Sequence, residues 1–239
     1  MKLYLISQPE CLKRLEMAGI NGIKRTLISY LDLDKSYPLL RDSEIVVDCA
    51  MFRRRKKPLT RQNLYQYLDE YVAVINRHRD KENIKWYAEM DYYGYFPERV
   101  IDDIRKELET QTGAYILPVY HRFQPIEKCY KLADKYPYIG IAGLVEEKTF
   151  LNLARNKIKT HLFGITASDL LLQYPVYSAD SSSWWRYLIF RSGIVGNITA
   201  RLPRQVDCLS YCTDTLTYYN LVEEYITRYW KERGIDYGD

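Results

Sequence analysis

Three aspartates and a histidine each end or follow an apolar run. Asp48 follows Ile45-Val46-Val47, Asp91 follows Trp86-Tyr87-Ala88-Glu89-Met90, His121 follows Pro118-Val119-Tyr120, and Asp180 follows Tyr177-Ser178-Ala179. A carboxylate in such a setting is costly to bury unpaired, so each needs a partner or a task. An aspartate after an apolar run also caps a following helix well. Capping explains any one of them as readily as chemistry does, but explains three in corresponding places less well. Five residues beyond Asp48 begins Arg53-Arg54-Arg55-Lys56-Lys57, the densest run of charge in the chain. Such runs are usually solvated loops. Beside carboxylates, this one suits a polyanionic substrate whose phosphates are held while a carboxylate acts on another part of it. The 24 tyrosines and 4 tryptophans supply stacking faces for bases, though composition does not choose among them.

The elements that must position these groups alternate along the chain. Strands are expected at Lys2–Ile6, Arg25–Tyr30, Glu44–Ala50, Ile84–Met90, Tyr115–Tyr120, Tyr138–Ala142, Thr160–Ile165 and Pro175–Asp180. They are Val, Ile, Leu and Tyr runs with little strict alternation, as expected of strands covered on both faces. Helical patterns fill Leu59–Arg79, Pro97–Thr112, Gln124–Tyr136, Glu146–Ile158 and Ser181–Arg191, with a terminal helix from about Thr213 to Arg233. Eight strands with intervening helices predict an α/β chain folded as a single-domain (β/α)8 TIM-type barrel over residues 1–239. A doubly wound open sheet is the competing architecture, which periodicity does not exclude. In either, chemistry collects where strands end, so Asp48, Asp91, His121 and Asp180 would share one rim. Gly140, Gly143 and Gly164 follow the same strand ends, as ligand-approach or plain turn glycines.

Composition narrows the class further. The chain is 47% hydrophobic and 28% charged, too apolar for disorder, and its net charge of +4 permits a nucleic-acid partner without demanding one. No apolar stretch is long enough to span a membrane, and the N-terminus lacks a signal-peptide core, so a cytoplasmic protein is expected. The five cysteines form no CxxC pair, which suits free thiols. Cys208 and Cys212 are spaced for metal, but no histidine follows His161, so no metal is expected. No phosphate-binding glycine motif occurs, and no cofactor is expected.

Six motifs in order, IVVDCAMF, WYAEMDYYG, ILPVYHRF, YIGIAGLVEE, THLFGIT and YSADSSSWWR, resemble the tRNA-guanine transglycosylase superfamily. They are most similar to its short phage-type branch, which inserts 7-deazaguanine bases into DNA. The similarity runs from about Glu44 to Arg186. It implies a (β/α)8 barrel and a pentosyltransferase that exchanges guanine in a polynucleotide. Asp180 is in the place of the nucleophile, and Asp48 in that of the residue moving protons on the exchanged base. Asp91 would read the base edge, with Gly143 lining the pocket and His121 as a polar contact. His161 and Arg186 are further substrate-binding candidates. The implied partners are DNA or tRNA and a free 7-deazaguanine base, with a second copy or a partner protein left open; in a phage the site of action is the host cytoplasm.

The chain departs from the family at two points. Cys49-Ala50-Met51 stands where the family has smaller residues after the first aspartate, and would narrow the base pocket or change the base. The late three-cysteine, one-histidine zinc set of the tRNA enzymes is not matched, which favours the DNA-acting branch. Two other readings stay open: a silent relative that binds nucleic acid or a deazapurine, and an unrelated small-molecule barrel enzyme using carboxylates.

Overall fold

The computed structural model describes residues 1–17, 19–20, 23–54, 60–181, 192–195, 198–201 and 208–238. Nine parallel strand segments form one sheet: β1 (Lys2–Ser7), β2 (Arg25–Ser29), β3 (Glu44–Asp48), β4 (Ile84–Ala88), β5 (Ile116–Leu117), β6 (Val119–His121), β7 (Tyr138–Ala142), β8 (Lys159–Leu162) and β9 (Ser178–Ser181). Their order is β5-β4-β3-β2-β1-β9-β8-β7-β6. The two ends, β5 and β6, are separated only by Pro118, so the sheet curls into a barrel through one strand interrupted by a proline. Proline has no N–H to give the ladder. Its carbonyl still accepts the Gly140 N–H at 2.8 Å, and Leu117 accepts from Glu89 N at 3.0 Å. Counting that strand once gives the eight of a (β/α)8 barrel, and the open-sheet alternative is set aside.

The helices that cover the barrel are α1 (Pro9–Met17), α2 (Tyr30–Ser36), α3 (Met51–Arg54), α4 (Arg61–His78), α5 (Glu98–Thr112), α6 (Ile126–Lys135), α7 (Glu147–Arg155), α8 (Ser168–Gln173) and α9 (Cys208–Lys231). Local chemistry sets several boundaries. The Thr60 hydroxyl accepts the Asn63 N–H to start α4, and Gly113, at φ +63°, ends α5. The terminal helix begins at Cys208, ahead of the expected Thr213. Between β9 and α9 an antiparallel pair, β10 (Ser192–Val195) and β11 (Ile198–Arg201), occupies a stretch where no strand is expected. The helix expected at Ser181–Arg191 falls almost wholly outside the described residues, and Ser181 itself ends β9.

Parallel strands bury both faces. Inside the barrel Tyr4, Leu27, Val46, Trp86, Ala88 and Leu117 pack together, with Tyr138 and Phe163 against them. Outside, the core falls into two large clusters and a small one. One large cluster draws on residues from Leu12 to Ile116, the other on Leu3 and residues from Tyr120 to Ile235. The small one joins Leu5, Cys11 and Leu15 to Leu216 of the terminal helix. Gly140 serves the interior: a Cβ there would lie 2.6 Å from the Phe163 ring.

One interaction behind the rim is ionic. Glu89 is fully buried, its Oε2 2.5 Å from Arg105 Nη1. Its Oε1 accepts the Val119 N–H at 2.6 Å, just beyond the Pro118 break. Removing one partner of a buried pair leaves the other uncompensated, at a cost of about 3–5 kcal/mol. Arg105→Ala is therefore expected to lower stability by about that much, measured by urea unfolding. A loss under ~1 kcal/mol would mean that Glu89 simply takes up a proton.

Candidate active site at the C-terminal rim

Asp48 is the last residue of β3, His121 the last of β6, and Gly143 follows β7 directly. Asp91 lies three residues beyond β4, and Asp180 sits within β9. All five are therefore at the C-terminal end of the barrel, where barrel enzymes place their chemistry.

The aspartates have different surroundings. Asp180 is 2% exposed. Its Oδ1 accepts the Gly164 N–H at 2.8 Å, and its Oδ2 is 3.1 Å from His161 Nε2. Asp48 accepts the Ala50 N–H at 2.8 Å. Burial first, then the neighbouring charge of Asp91 and more weakly that of Asp180, push the Asp48 carboxyl up to about 7, against the opposing pull of the Ala50 N–H. Ala50 sits at φ +60° to make that contact, in the left-handed region that disfavours any residue with a Cβ. Asp91 bridges two elements: Oδ1 accepts from Cys49 Sγ at 3.3 Å and Oδ2 is 3.1 Å from His121 Nε2. Burial and the adjacent Asp91 and Asp48 hold the Cys49 thiol well above its usual range, so it remains an S–H donor.

Cys49 packs into the outer core and donates its thiol hydrogen to Asp91. His161 is 0% exposed. It lies beneath Asp180 with both ring nitrogens engaged, away from the open surface where a substrate contact was expected. The turn that presents His121 is tightly tied. Gln124 Oε1 accepts the His121 N–H at 2.9 Å, Gln124 N donates back to the His121 carbonyl at 2.8 Å, and Arg122 N donates to Ala142 O at 3.2 Å. That turn places the exposed Phe123 ring 5.1 Å from the His121 ring. Gly143 has φ +92°, and a Cβ there would meet the Arg122 stem at 2.8 Å.

The basic run is partly occupied. Arg53 pairs with Asp32, and Arg54 with Glu70. The Arg54 guanidinium also lies 3.7 Å from the Tyr67 ring centroid and 2.6 Å from Tyr30 Oη. Arg55, Lys56, Lys57 and Arg186 lie outside the described residues. Arg122 was not singled out in the sequence. It is exposed beside Gly143, and no ion pair holds it among the described residues. Its place directly before Phe123 in ILPVYHRF was the available signal.

Among the described residues no group of three or more His, Cys, Asp and Glu is arranged to hold a metal ion. No helix among them is long and apolar enough to cross a membrane. A cleft of about 470 Å³, lined by Leu12, Leu15, Ile23 and Leu40 among others, opens before β2 and β3, at the opposite end from the carboxylates. Among the described residues the rim carries instead a cluster of acids with an exposed aromatic ring and a cation at its edge. No family model and no curated protein matches the chain, so the functional case rests on the geometry of Asp48, Asp91, His121 and Asp180.

Proposed function

We propose that the chain is a pentosyltransferase that exchanges guanine in a polynucleotide, DNA in the first instance, for a 7-deazaguanine base. The observation that carries this reading is the division of labour between two aspartates at one rim. Asp180 accepts two hydrogen bonds through separate oxygens, as an anion poised to attack does. Asp48 is pushed up to about 7, where a carboxyl both gives and takes protons. Asp180 attacks the sugar carbon, the glycosidic bond breaks, and its electrons leave with the guanine, which Asp48 protonates. The incoming base loses a proton to Asp48 and displaces the aspartyl ester. Two displacements retain configuration at the sugar, as in retaining glycosidases. Asp91, held by Cys49 and His121, faces the base, and Phe123 offers a stacking surface for a base taken out of the helix.

The direct test incubates the protein with guanine-containing DNA or tRNA and a free 7-deazaguanine, then measures the nucleosides by mass spectrometry. Exchange into DNA is expected. Exchange into tRNA alone would move the substrate class, and exchange into neither would end the reading.

A second expectation concerns the cations. Neutralising a phosphate releases a counterion, so each lost contact lowers the salt slope by about one. Arg122→Ala is expected to weaken DNA binding and reduce that slope. Arg54→Ala is expected to leave the slope unchanged and instead lower stability by roughly 1 kcal/mol, through the lost contacts to Tyr67 and Glu70. Binding titrations at several salt concentrations, beside thermal unfolding, separate the two.

A further inference from the structure

Beneath Asp180 runs a chain of polar groups that the exchange chemistry above does not use. Tyr138 Oη is 2.5 Å from Ser178 Oγ, Ser178 Oγ is 2.6 Å from His161 Nδ1, and His161 Nε2 is 3.1 Å from Asp180 Oδ2. Ser178 and His161 are both 0% exposed, so water does not complete their hydrogen bonding. The residues come from β7, β8 and β9, and the strand register brings them together: Gly140 pairs with His161, and His161 with Ser178.

The protons along this chain can be counted. Burial and nearby acidic groups hold the Tyr138 phenol above its usual range, so it keeps its hydrogen and must donate it. Ser178 is the acceptor within reach. The Ser178 hydroxyl then donates to His161 Nδ1, which must be the unprotonated nitrogen. Nε2 carries the ring hydrogen and donates it to Asp180. A hydrogen on Nδ1 would break this order: the Ser178 oxygen would accept both it and the phenol hydrogen through its two lone pairs, and the Ser178 hydrogen would be left without an acceptor among the described residues. An unsatisfied buried donor costs about 1–3 kcal/mol.

The other groups facing the imidazole do not disturb this order. Tyr4 from β1 lies edge-on, with ring centroids 5.9 Å apart, and its hydroxyl donates to Glu44 of β3. Lys2 and Arg25 pair with Glu44. Trp86 from β4 and Phe163 lie edge-on at 5.0 and 4.5 Å and carry no charge.

We propose that Ser178, its oxygen engaged by the Tyr138 phenol, is a positioning residue that holds His161 as the neutral Nε2–H tautomer, so that it orients Asp180 without neutralising it. No proton travels along the chain; its polarity is fixed. With the Gly164 N–H on the other oxygen, the carboxylate plane is set and its full negative charge is kept for attack. The mechanistic part rests on Asp180 being the nucleophile. The tautomer part stands on geometry alone.

The experiment is nitrogen-15 NMR of the histidine side chains, recorded on the full chain without substrate. There are three histidines, and His161→Gln identifies the third set of signals by its loss. The expected spectrum shows His161 with a protonated Nε2 and an unprotonated Nδ1. Ser178→Ala removes the hydrogen donated to Nδ1 and is expected to let the Nδ1–H form of His161 appear in the spectrum. In base exchange the same variant is expected to lose kcat roughly tenfold, with KM for DNA unchanged. Ser178→Thr keeps the hydroxyl and should restore the wild-type spectrum and rate. If Ser178→Ala does not fold, the wild-type spectrum alone decides. An Nδ1–H or doubly protonated His161 in the wild type, or a Ser178→Ala spectrum identical to it, overturns the inference. Because the spectrum needs no turnover, absence of base exchange would leave this result standing and remove only the mechanistic part.

Discussion

Asp180→Asn is expected to lose base exchange by on the order of 10⁴-fold or more, the scale on which removal of an attacking group acts. Incubated with DNA and no incoming base, the wild-type protein should accumulate a covalent protein–DNA adduct that survives denaturation. The asparagine variant should form none. Asparagine keeps an oxygen to accept the Gly164 N–H, now made at 2.8 Å, but its NH2 then faces the His161 Nε2–H, so one buried hydrogen bond is lost at about 1–3 kcal/mol. Folding and DNA binding should persist at that cost, and the loss of exchange should appear in the chemical step. If Asp180 were only a structural acceptor, its replacement would cost about 1 kcal/mol of stability while exchange continued. Denaturing gels and thermal unfolding on the same preparation separate these outcomes, and robust exchange by the variant would sink the covalent mechanism.

Asp48→Asn should also stop exchange, by about 10²–10⁴-fold, the usual contribution of a positioned acid–base group. Its signature differs in two ways. Some adduct should still form slowly, because the attacking group is intact. The protein should also become more stable. The folded state raises the Asp48 carboxyl from 3.8 to about 7, so folding favours the protonated form. Below the unfolded value there is no penalty, since both states are protonated. As pH rises from about 4 to 7 stability is lost, and above about 7 the cost is constant, at ~4 kcal/mol or less by linkage. Asparagine does not ionise, and its side-chain oxygen still accepts from Ala50. The variant is therefore expected to melt higher than wild type above pH 7, with the difference closing toward pH 4. The wild-type exchange rate should show a limb near pH 7 that the residual activity of the variant lacks. An unchanged melting temperature at neutral pH would show that Asp48 is not held against its charge.

The strands were legible because β3 and β7 are continuous apolar runs with no competing period, EIVVD and YIGIA. α2 was not. Its sequence, YLDLDKS, follows β2 without a break, and its alternating Leu and Asp mimic a strand. The boundary is marked only by Ser29, whose hydroxyl accepts the Leu31 N–H. α8 has six residues, too few to declare a period. Around the site, the end-of-strand positions of Asp48, His121 and Asp180 were readable because a polar residue ending a buried strand stands out. What lies beneath them was not. Ser178 and Tyr138 look like ordinary strand residues, and their link to His161 depends on register across three strands. Arg105 did carry a signal: it shares the buried face of α5 with Ile101, Ile104 and Leu108, and a cation there requires an acid inside. Cys49 was read as bulk, whereas its thiol acts as a hydrogen-bond donor to Asp91.

Pro118 also divides the molecule. Most outer-core residues before it build one large cluster and most of those after it, with Leu3, the other, while Leu5, Cys11 and Leu15 pack with Leu216 across the divide. The chain thus passes from one half-barrel to the other at a point where the sheet lacks a rung, and Glu89 Oε1 stands in for that rung at Val119. In the language of cooperative unfolding, the halves are expected to open as two foldons sharing a border, which hydrogen exchange would show. The Val119 amide is a gauge of that border, since its protection from solvent exchange depends on a side chain rather than on a neighbouring strand. Glu89 is itself pushed up to about 7, chiefly by burial. Protonation of Glu89 near neutrality is therefore expected to loosen the Val119 amide, through an acid that touches neither Asp48 nor Asp180. Two buried carboxyls pushed up to about 7, Asp48 and Glu89, share the same ring of strands.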